Sequence, residues 1–496
     1  MGNAEEDKKQ NPRKRITDPL QLAALRRRVK GSPRLQALAA RIQDGLVASE
    51  RHVLRVSGSK GIMGAEEVLP GMFPHAEFGH IPFWLNYPSS DDMRATAQLW
   101  QTIAGQLPPT NLDPVTHATM LAAPEVVLSV GPDGSIYGDG TYELLDPEGV
   151  PMFGEYIWHY FWEEFAEFGT DPAMIDLQDS SGGDVSIALV GDWGTGNYSP
   201  AGPAQDVMTQ IQKLSPDYII HLGDVYYSGS ADEENANLLQ GWGGQTGKSF
   251  TLNSNHEMYD GGLGYFGTTL ANPMFGAQKG TSYFALRYGD TAHGGPWTII
   301  ALDSAYWSTS PLVMAGSICE PGSTRPGASA QLNFLSQLGT PPEKIILVTH
   351  HNPISYDGSA IVDDGQGNNL WKQVISALGA PPAWYWGHVH NGIVYTQASA
   401  AGSVRGRCVG HGAIPFGPAS GLAAAQNPVP PQLKYVEWYA NTPNPDPNTV
   451  PRVYNGFAIL TLSETGSVTE VFYDQTGKVT FKSQYQLGKP AGSNSG

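Results

Sequence analysis

The sequence predicts an α/β (α+β) protein, a mixed β-sandwich flanked by helices and preceded by a mainly helical N-terminal region. Three observations carry this. From residue 185 onward, short apolar runs alternate with segments of helical period, the texture of buried strands in layered α/β proteins. Toward the C-terminus the helical segments stop, and strands separated by tight turn signals take over. Before residue 180 the periodic segments are mostly helical.

Residues 1–16 carry Lys8, Lys9, Arg13, Lys14 and Arg15 and read as a disordered basic tail. Residues 17–180 form an N-terminal region in which no motif points to a chemistry. Two helices are expected at its start. The second has Ser32 as N-cap and Pro33 at the first position, with Leu35, Leu38, Ile42 and Leu46 on one stripe. Further helices are expected over Asp91–Leu107 and over the aromatic-rich Glu155–Phe168. Between Val126 and Tyr142 the turn Gly131-Pro132-Asp133-Gly134 predicts a hairpin. Asp179 to Asp184 reads as a linker, so residues 181–485 form the second domain and 486–496 a flexible tail. Strands are expected over Val185–Val190, Tyr218–Leu222, Trp297–Leu302, Ile345–Thr349 and the short run Ala383–Trp386. Helices are expected over Pro203–Leu214, with Val207, Ile211 and Leu214 in register, over Ala328–Leu338 and over Leu370–Leu378. Gly456–Leu462, Val468–Tyr473 and Lys478–Phe481 read as antiparallel strands joined at Glu464-Thr465-Gly466 and Gln475-Thr476-Gly477.

The 496 residues include 29 Lys and Arg against 47 Asp and Glu, a net charge of -18. Such a surface repels nucleic acid and anionic membrane, so neither is expected as a partner. An anionic substrate then needs a locally positive site, which bound cations provide. Cys319 and Cys408 are the only cysteines, too few for a disulfide framework or a cysteine zinc site, and are expected as two unpaired, buried thiols. The sequence has no apolar run of membrane-spanning length, and its polar start has no apolar signal core, so a cytoplasmic protein is expected.

The chemistry gathers just past the expected strands. Gly191-Asp192-Trp193-Gly194 follows the first, and Gly223-Asp224-Val225-Tyr226-Tyr227 the second. Asn255-His256-Glu257 comes next, then His350-His351-Asn352-Pro353, then Gly387-His388-Val389-His390. Carboxylate, phenol, amide and imidazole together suit hard or borderline cations such as iron, manganese and zinc. Each cluster alone has an ordinary explanation: Gly-Asp is a common turn, and Gly-His-x-His reads equally as a surface loop. Five in this order are hard to explain by packing.

That order resembles the calcineurin-like metallophosphoesterases over residues from about 185 to 475. Many members open with Asp-x-His. Here Gly194 stands at the His position, while Tyr227 follows three residues after Asp224. The purple acid phosphatases are similar in making this same exchange. The resemblance implies a dinuclear centre with Asp192, Tyr227 and His390 on one ion, Asp224 bridging, and Asn255, His351 and His388 on the other. His351 is chosen over His350 because the family's Val-x-x-His followed by x-Pro matches Val348 and Pro353. The implied ions are ferric iron plus a divalent iron, zinc or manganese. The implied reaction is hydrolysis of a small phosphate ester, as in an acid-phosphatase-like phosphomonoesterase, with a metal-bridging hydroxide as nucleophile. His256 is the expected contact to the phosphoryl or leaving group, with Glu257 orienting it. Ser254 departs from the family's glycine before Asn-His.

The same motifs leave a phosphodiesterase or nucleotide hydrolase open, and a non-catalytic metal-binding interaction protein as a third reading. His221, Trp193, Asp303 and His411 are expected in packing or supporting roles. The segments Tyr306 to Pro326 and Asn427 to Pro451 are expected to shape substrate access.

Overall fold

The computed structural model describes residues 165–178, 183–196, 202–310, 315–354, 358–362, 369–396, 404–414, 435–442 and 453–488, with 127–130, 136–138 and the positions 159, 313, 401–402 and 444. The helices expected before residue 110 and most of the Asn427 to Pro451 segment lie outside these residues. The expected hairpin is present as β1 (Val127–Val130) paired antiparallel with β2 (Ile136–Gly138). Of the helix expected over Glu155–Phe168, His159 is helical but 165–168 have no regular structure. Phe168 is instead a core residue, stacked on Tyr283 with ring centroids 5.5 Å apart.

Two sheets face each other. The six-stranded sheet contains β4 (Val185–Val190), β5 (Tyr218–His221), β6 (Ser249–Thr251), β14 (Gly456–Leu462), β15 (Ser467–Asp474) and β16 (Val479–Gln486), in the order β16-β15-β14-β4-β5-β6. The eight-stranded sheet contains β3 (Ala173–Asp176), β7 (Phe284–Tyr288), β8 (Trp297–Leu302), β9 (Ile345–Thr349), β10 (Ala383–Trp386), β11 (Gly392–Tyr395), β12 (Arg405–Val409) and β13 (Val436–Tyr439), in the order β13-β11-β12-β10-β9-β8-β7-β3. One core fills the space between them: Ile187 and Leu189 of β4, Ile220 of β5 and Leu460 of β14 meet Leu286 of β7, Ile299 of β8 and Val348 of β9. The alternate residues of the same strands face outward, and helices cover them.

Over the six-stranded sheet lies α1 (Pro203–Leu214), opened by Pro203 at its first position and packed through Val207 and Ile211 on Ala188, Val190, Phe457 and Ile459. A short α2 (Asn255–Met258) follows β6. Over the eight-stranded sheet lie α3 (Ala330–Gln337) and α4 (Leu370–Leu378), whose Phe334, Leu335, Leu370 and Val374 pack on Ile300, Leu302, Leu347 and Trp384. The strands joined through helices are parallel: β4 with β5, β5 with β6, β8 with β9, and β9 with β10. Their carboxyl ends therefore share one rim, which places the site. The C-terminal strands β14 to β16 pair antiparallel, with Gly466 and Gly477 at positive φ in the two turns. Cys319 and Cys408 are both free and buried. No helix among the described residues is long and apolar enough to cross a membrane.

Candidate metal centre

Each strand at that rim delivers one cluster. Asp192 follows β4, Asp224 follows β5, Asn255 opens α2 after β6, His350 and His351 follow β9, and His388 and His390 follow β10. Asp192, Asp224 and His388 all have positive φ, at 55, 74 and 63°. Such backbone costs on the order of 1–3 kcal/mol per residue and persists only where neighbours enforce it. The enforcing contacts are present. Asp192 N donates to Gly223 O at 3.0 Å, Gly194 N to Asp224 O at 3.1 Å and Tyr226 N to Gly194 O at 2.9 Å. His388 N donates to Asp192 Oδ2 at 2.9 Å. Gly387 is needed for this approach, since a Cβ there would lie 2.7 Å from Asp192 Oδ2.

Two donor groups result. Asp192, Asp224 and His390 can each offer one atom within 4.8 Å of the others, and so can His350, His351 and His388. Asp224 faces both. Its Oδ2 accepts from the Tyr226 hydroxyl at 2.8 Å, and that hydroxyl lies 3.0 Å from His390 Nε2 and 3.4 Å from Asp192 Oδ1. Its Oδ1 lies 3.3 Å from His350 Nε2 and accepts from Ser254 Oγ.

In the second group Asn255 Oδ1 is central, 2.8 Å from His350 Nε2 and 3.1 Å from His388 Nδ1. Asn255 Nδ2 donates to Tyr259 Oη at 2.9 Å, which turns the amide oxygen inward. His350 Nδ1 lies 2.8 Å from the Leu222 carbonyl and so carries the proton that donates to it. Burial pushes the His350 pKa down to about 3, so the ring is neutral and its Nε2 is a bare lone pair. Two acceptors then sit at contact distance with no hydrogen between them. That arrangement is repulsive without a cation and suits one with it. The carboxylates point the same way. Burial, reinforced by the charge of Asp224, pushes Asp192 well above the usual carboxylate range. In Asp224 burial acts in the same sense but is outweighed by the surrounding imidazoles together with a hydrogen bond from Asp192, leaving it well below that range. Among the described residues neither carboxylate has a Lys or Arg partner. The donor set fits two cations.

The structure differs from the sequence pattern at three positions. The phenol in the first group belongs to Tyr226, where the motif spacing selects Tyr227. The cause is the backbone. Gly194 and Val225 form a parallel bridge, so residue 226 is the one laid against the Asp192 turn. Tyr227 turns its amide to Glu233 Oε1 at 2.8 Å. His350, directly after the last residue of β9, contacts Asn255 and Asp224, where the pattern selects His351. His351 stands beside it with Nδ1 2.9 Å from Ser304 Oγ and Nε2 2.6 Å from Val313 O. Glu257 is not at His256 among its described contacts. Its Oε2 accepts from Asp224 N at 3.3 Å and stands against Ser254 Oγ, and the side chain is wholly buried. His256 is anchored through Nδ1 on the Tyr227 carbonyl, its ring 4.3 Å from that of Tyr226.

Other positions take supporting roles. Ser254 caps α2, accepting from His256 N at 3.0 Å, and links Asp224 to Glu257. Gly194 cannot carry a ligand, because a Cβ there would lie 2.5 Å from Asp224 O. Asp303 is buried and accepts from Asn253, Ser282 and the amides of Ala305 and Tyr306. His411 braces the Asn455 strand entry through its carbonyl, while Ala413 N donates to Asp192 O at 3.0 Å. Tyr226 and Tyr259 carried no signal of their own in the sequence. Ser304 did, as the residue after a strand-end aspartate.

Residues 185–392 match the family model of the calcineurin-like phosphoesterases. Comparison with curated proteins returns no match. Solved structures similar at low identity include the following three. The GAP50 anchor of the inner membrane complex of Plasmodium is 13% identical, covers 62% of this chain and 90% of its own, and has a TM-score of 0.41. A purple acid phosphatase from yellow lupin seeds is 16% identical, with 62% and 54% covered and a TM-score of 0.37. A 5'-nucleotidase precursor from Thermus thermophilus is 11% identical, with 61% and 54% covered and a TM-score of 0.26. Over residues 185–392, somewhat under half of the chain, the sequence is therefore similar to the calcineurin-like phosphoesterases.

Proposed function

We propose that the protein is a metal-dependent phosphoric ester hydrolase, an acid-phosphatase-like phosphomonoesterase acting on small phosphate esters. The observation that carries this reading is Asp224, which offers one oxygen to each of two adjacent donor groups. Asp192, Tyr226 and His390 would hold one ion with Asp224. Asn255, His350 and His388 would hold the other, with His351 beside them. The phenol among carboxylates suits ferric iron in the first position, with divalent iron, zinc or manganese in the second. When bound, the pair supplies Lewis acidity that lowers the pKa of a water and offsets phosphoryl charge.

The chain's own residues do the rest. The strand-end backbone holds the carboxylates at fixed φ, so little reorganisation is left for the reaction. Tyr226 and the carboxylates confine negative charge to the rim floor, which leaves the imidazole side to meet an anionic substrate. His256, fixed by its Nδ1 contact to the Tyr227 carbonyl, presents Nε2 as the atom that protonates the leaving oxygen. His388 and His390 are only partly buried, so substrate reaches the pair from their side.

The test is hydrolysis of an aryl phosphate monoester by the purified full chain beside His388→Ala, with metals supplied and then chelated, and with the matching diester in parallel. Turnover of the monoester that needs both metal and His388 is expected. Preference for the diester would move the assignment to a phosphodiesterase. No turnover of either ester by protein holding two metals would overturn the enzymatic reading.

A further inference from the structure

Ahead of the family-matched stretch, residues 159 and 165–168 touch two loops beside the metal centre, one from each sheet. Residues 259–264 follow α2 and carry Tyr259, which contacts Asn255. Residues 303–307 follow β8 and carry Ser304, which contacts His351. Ala166 joins the two. Its N donates to Gly261 O at 2.9 Å, and its carbonyl accepts from the Tyr306 hydroxyl at 2.6 Å. Phe168 is seated beside it, with ring centroids 4.8 Å from Tyr306 and 5.3 Å from Trp307. Arg325, paired with Glu320 at 3.6 Å, lies over Phe165 and Tyr306 with 5.6 Å to each ring. Further upstream, His159 Nε2 stands 3.4 Å from Asp260 Oδ1, their side chains only 8% and 13% exposed.

The loop after α2 has little stiffness of its own. Residues 261, 262 and 264 are glycines, the first two at φ 66 and 74°, and glycine loses the most backbone freedom when it is ordered. Turn bonds hold it internally, Gly261 N to Met258 O at 3.0 Å and Gly262 N to Glu257 O at 2.9 Å. From outside, Ser228 O accepts from Asp260 N at 3.2 Å, and the upstream segment adds Ala166 and His159. The first residue of this loop has an exacting task. Tyr259 is buried, and its Oη accepts from Asn255 Nδ2 at 2.9 Å. The two ends of a carboxamide differ little in size, so that acceptor decides that the oxygen, and not the NH2, faces His350 and His388. The Tyr259 ring also stands 5.0 Å from that of His256.

We propose that His159 and residues 165–168 form a positioning strap for the metal centre, tying the loop after α2 to the loop after β8 so that Tyr259 keeps the Asn255 oxygen turned inward. Asn255 comes with the six-stranded sheet, and His350 and His388 with the eight-stranded one. A tie between rim loops of the two sheets therefore fixes the spacing on which that donor group depends. The strap lies outside residues 185–392, so the stretch that matches the family model does not hold its centre unaided. This role rests on Asn255 holding an ion of the proposed metal pair.

The experiment is titration of the metal-free full chain with zinc against a chromophoric chelator. It compares the parent with Tyr259→Phe, Tyr306→Phe, His159→Ala, and each of the last two combined with Tyr259→Phe. The parent should take up two ions. Tyr259→Phe should weaken one of them about tenfold or more, the scale of losing a group that orients a ligand, and leave the other within about twofold. Tyr306→Phe and His159→Ala should each weaken the same ion about threefold or more, the scale of one hydrogen bond. Neither should add to the effect of Tyr259→Phe, because each acts through that side chain. A general loss of folding would weaken both ions and would add, so the pattern separates positioning from stability. A parent that binds no metal would overturn the metal reading, and the strap's role with it. A parent that binds both ions, with Tyr306→Phe and His159→Ala binding as tightly or with additive losses, would overturn the strap and leave the metal reading standing.

Discussion

At Tyr226 one phenol oxygen stands within hydrogen-bond reach of Asp224 Oδ2 and His390 Nε2, while the adjacent Tyr227 gives its backbone to Glu233 and His256. The proposed ferric site makes this difference measurable. The metal-loaded protein should absorb visible light by phenolate-to-iron charge transfer. Tyr226→Phe should bleach it and Tyr227→Phe should keep the colour. Bleaching by Tyr227→Phe alone would return the ligand role to the residue the motif selects. Gly194 sets a second test at this scale. A methyl at that position meets Asp224 O at 2.5 Å and Val225 Cα at 2.7 Å, both backbone, so the strain cannot be relieved by a side-chain rotation. Gly194→Ala should lose about 1–3 kcal/mol in urea unfolding and bind less than two metals per chain. Wild-type stability together with full metal content would show that the turn has room to spare. The motif spacing selects Tyr227 and His351, each of which stands beside an identical residue. Each pair offers the same side chain twice, and the path of the backbone brings Tyr226 to Asp224 and His350, with His351 beside it, to Asn255.

At the scale of elements, the strands and helices with uninterrupted apolar periodicity coincide with their expected bounds: β4, β8, β9, β10 and β14, with α1 and α4. Those that escaped the sequence reading have a physical reason. In β12 the run Arg405-Gly406-Arg407-Cys408-Val409 carries two cations, yet four of its five residues are buried. β6 has three residues, and β11 pairs with β13 across a register shift. The loop following β12 holds His411, 2% exposed, with no partner at Nδ1 among the described residues and a pKa lowered to about 3 by burial. Below pH of about 6.5 the unfolded chain takes up a proton that the folded chain refuses. Stability therefore falls as pH drops from that value toward 3, by at most about 1.4 kcal/mol per unit, and is unaffected by this group above pH of about 7. His411→Gln should show a shallower decline of thermal midpoint over pH 6.5 to 4. Parallel declines in the two proteins would remove His411 from the acid response.

At the scale of the whole molecule, a buried ion pair among the described residues ties the two sheets. Arg407 of β12 donates to Glu470 of β15 through Nε at 2.9 Å and Nη2 at 2.7 Å, and Tyr385 of β10 donates to the same carboxylate at 2.6 Å. Burial raises the cost of the Glu470 charge, but Arg407 outweighs it and the carboxyl lies below its ordinary pKa. Removing one partner leaves the other charged and buried. Glu470→Ala should cost about 3–5 kcal/mol, while Arg407→Met combined with Glu470→Met should cost less than either single change. Denaturant unfolding of the three variants decides it. A double variant as unstable as the sum of the singles would show that the pair contributes through packing alone. The sheets must keep their relative placement, because Asp192, Asp224 and Asn255 come from one and His350, His388 and His390 from the other.

Sequence by itself determined the layered α/β order, the strand ends as the place of the chemistry, and the types of side chain gathered there. Those follow from local periodicity and from groups that have few other reasons to cluster. Tertiary structure alone decided that Tyr226 is the tyrosine laid against Asp224, that His350 as well as His351 joins the second donor group, and that Ser254 and Glu257 brace Asp224. These depend on strand register and on left-handed backbone at Asp192, Asp224 and His388, which are fixed by contacts between residues far apart in the chain.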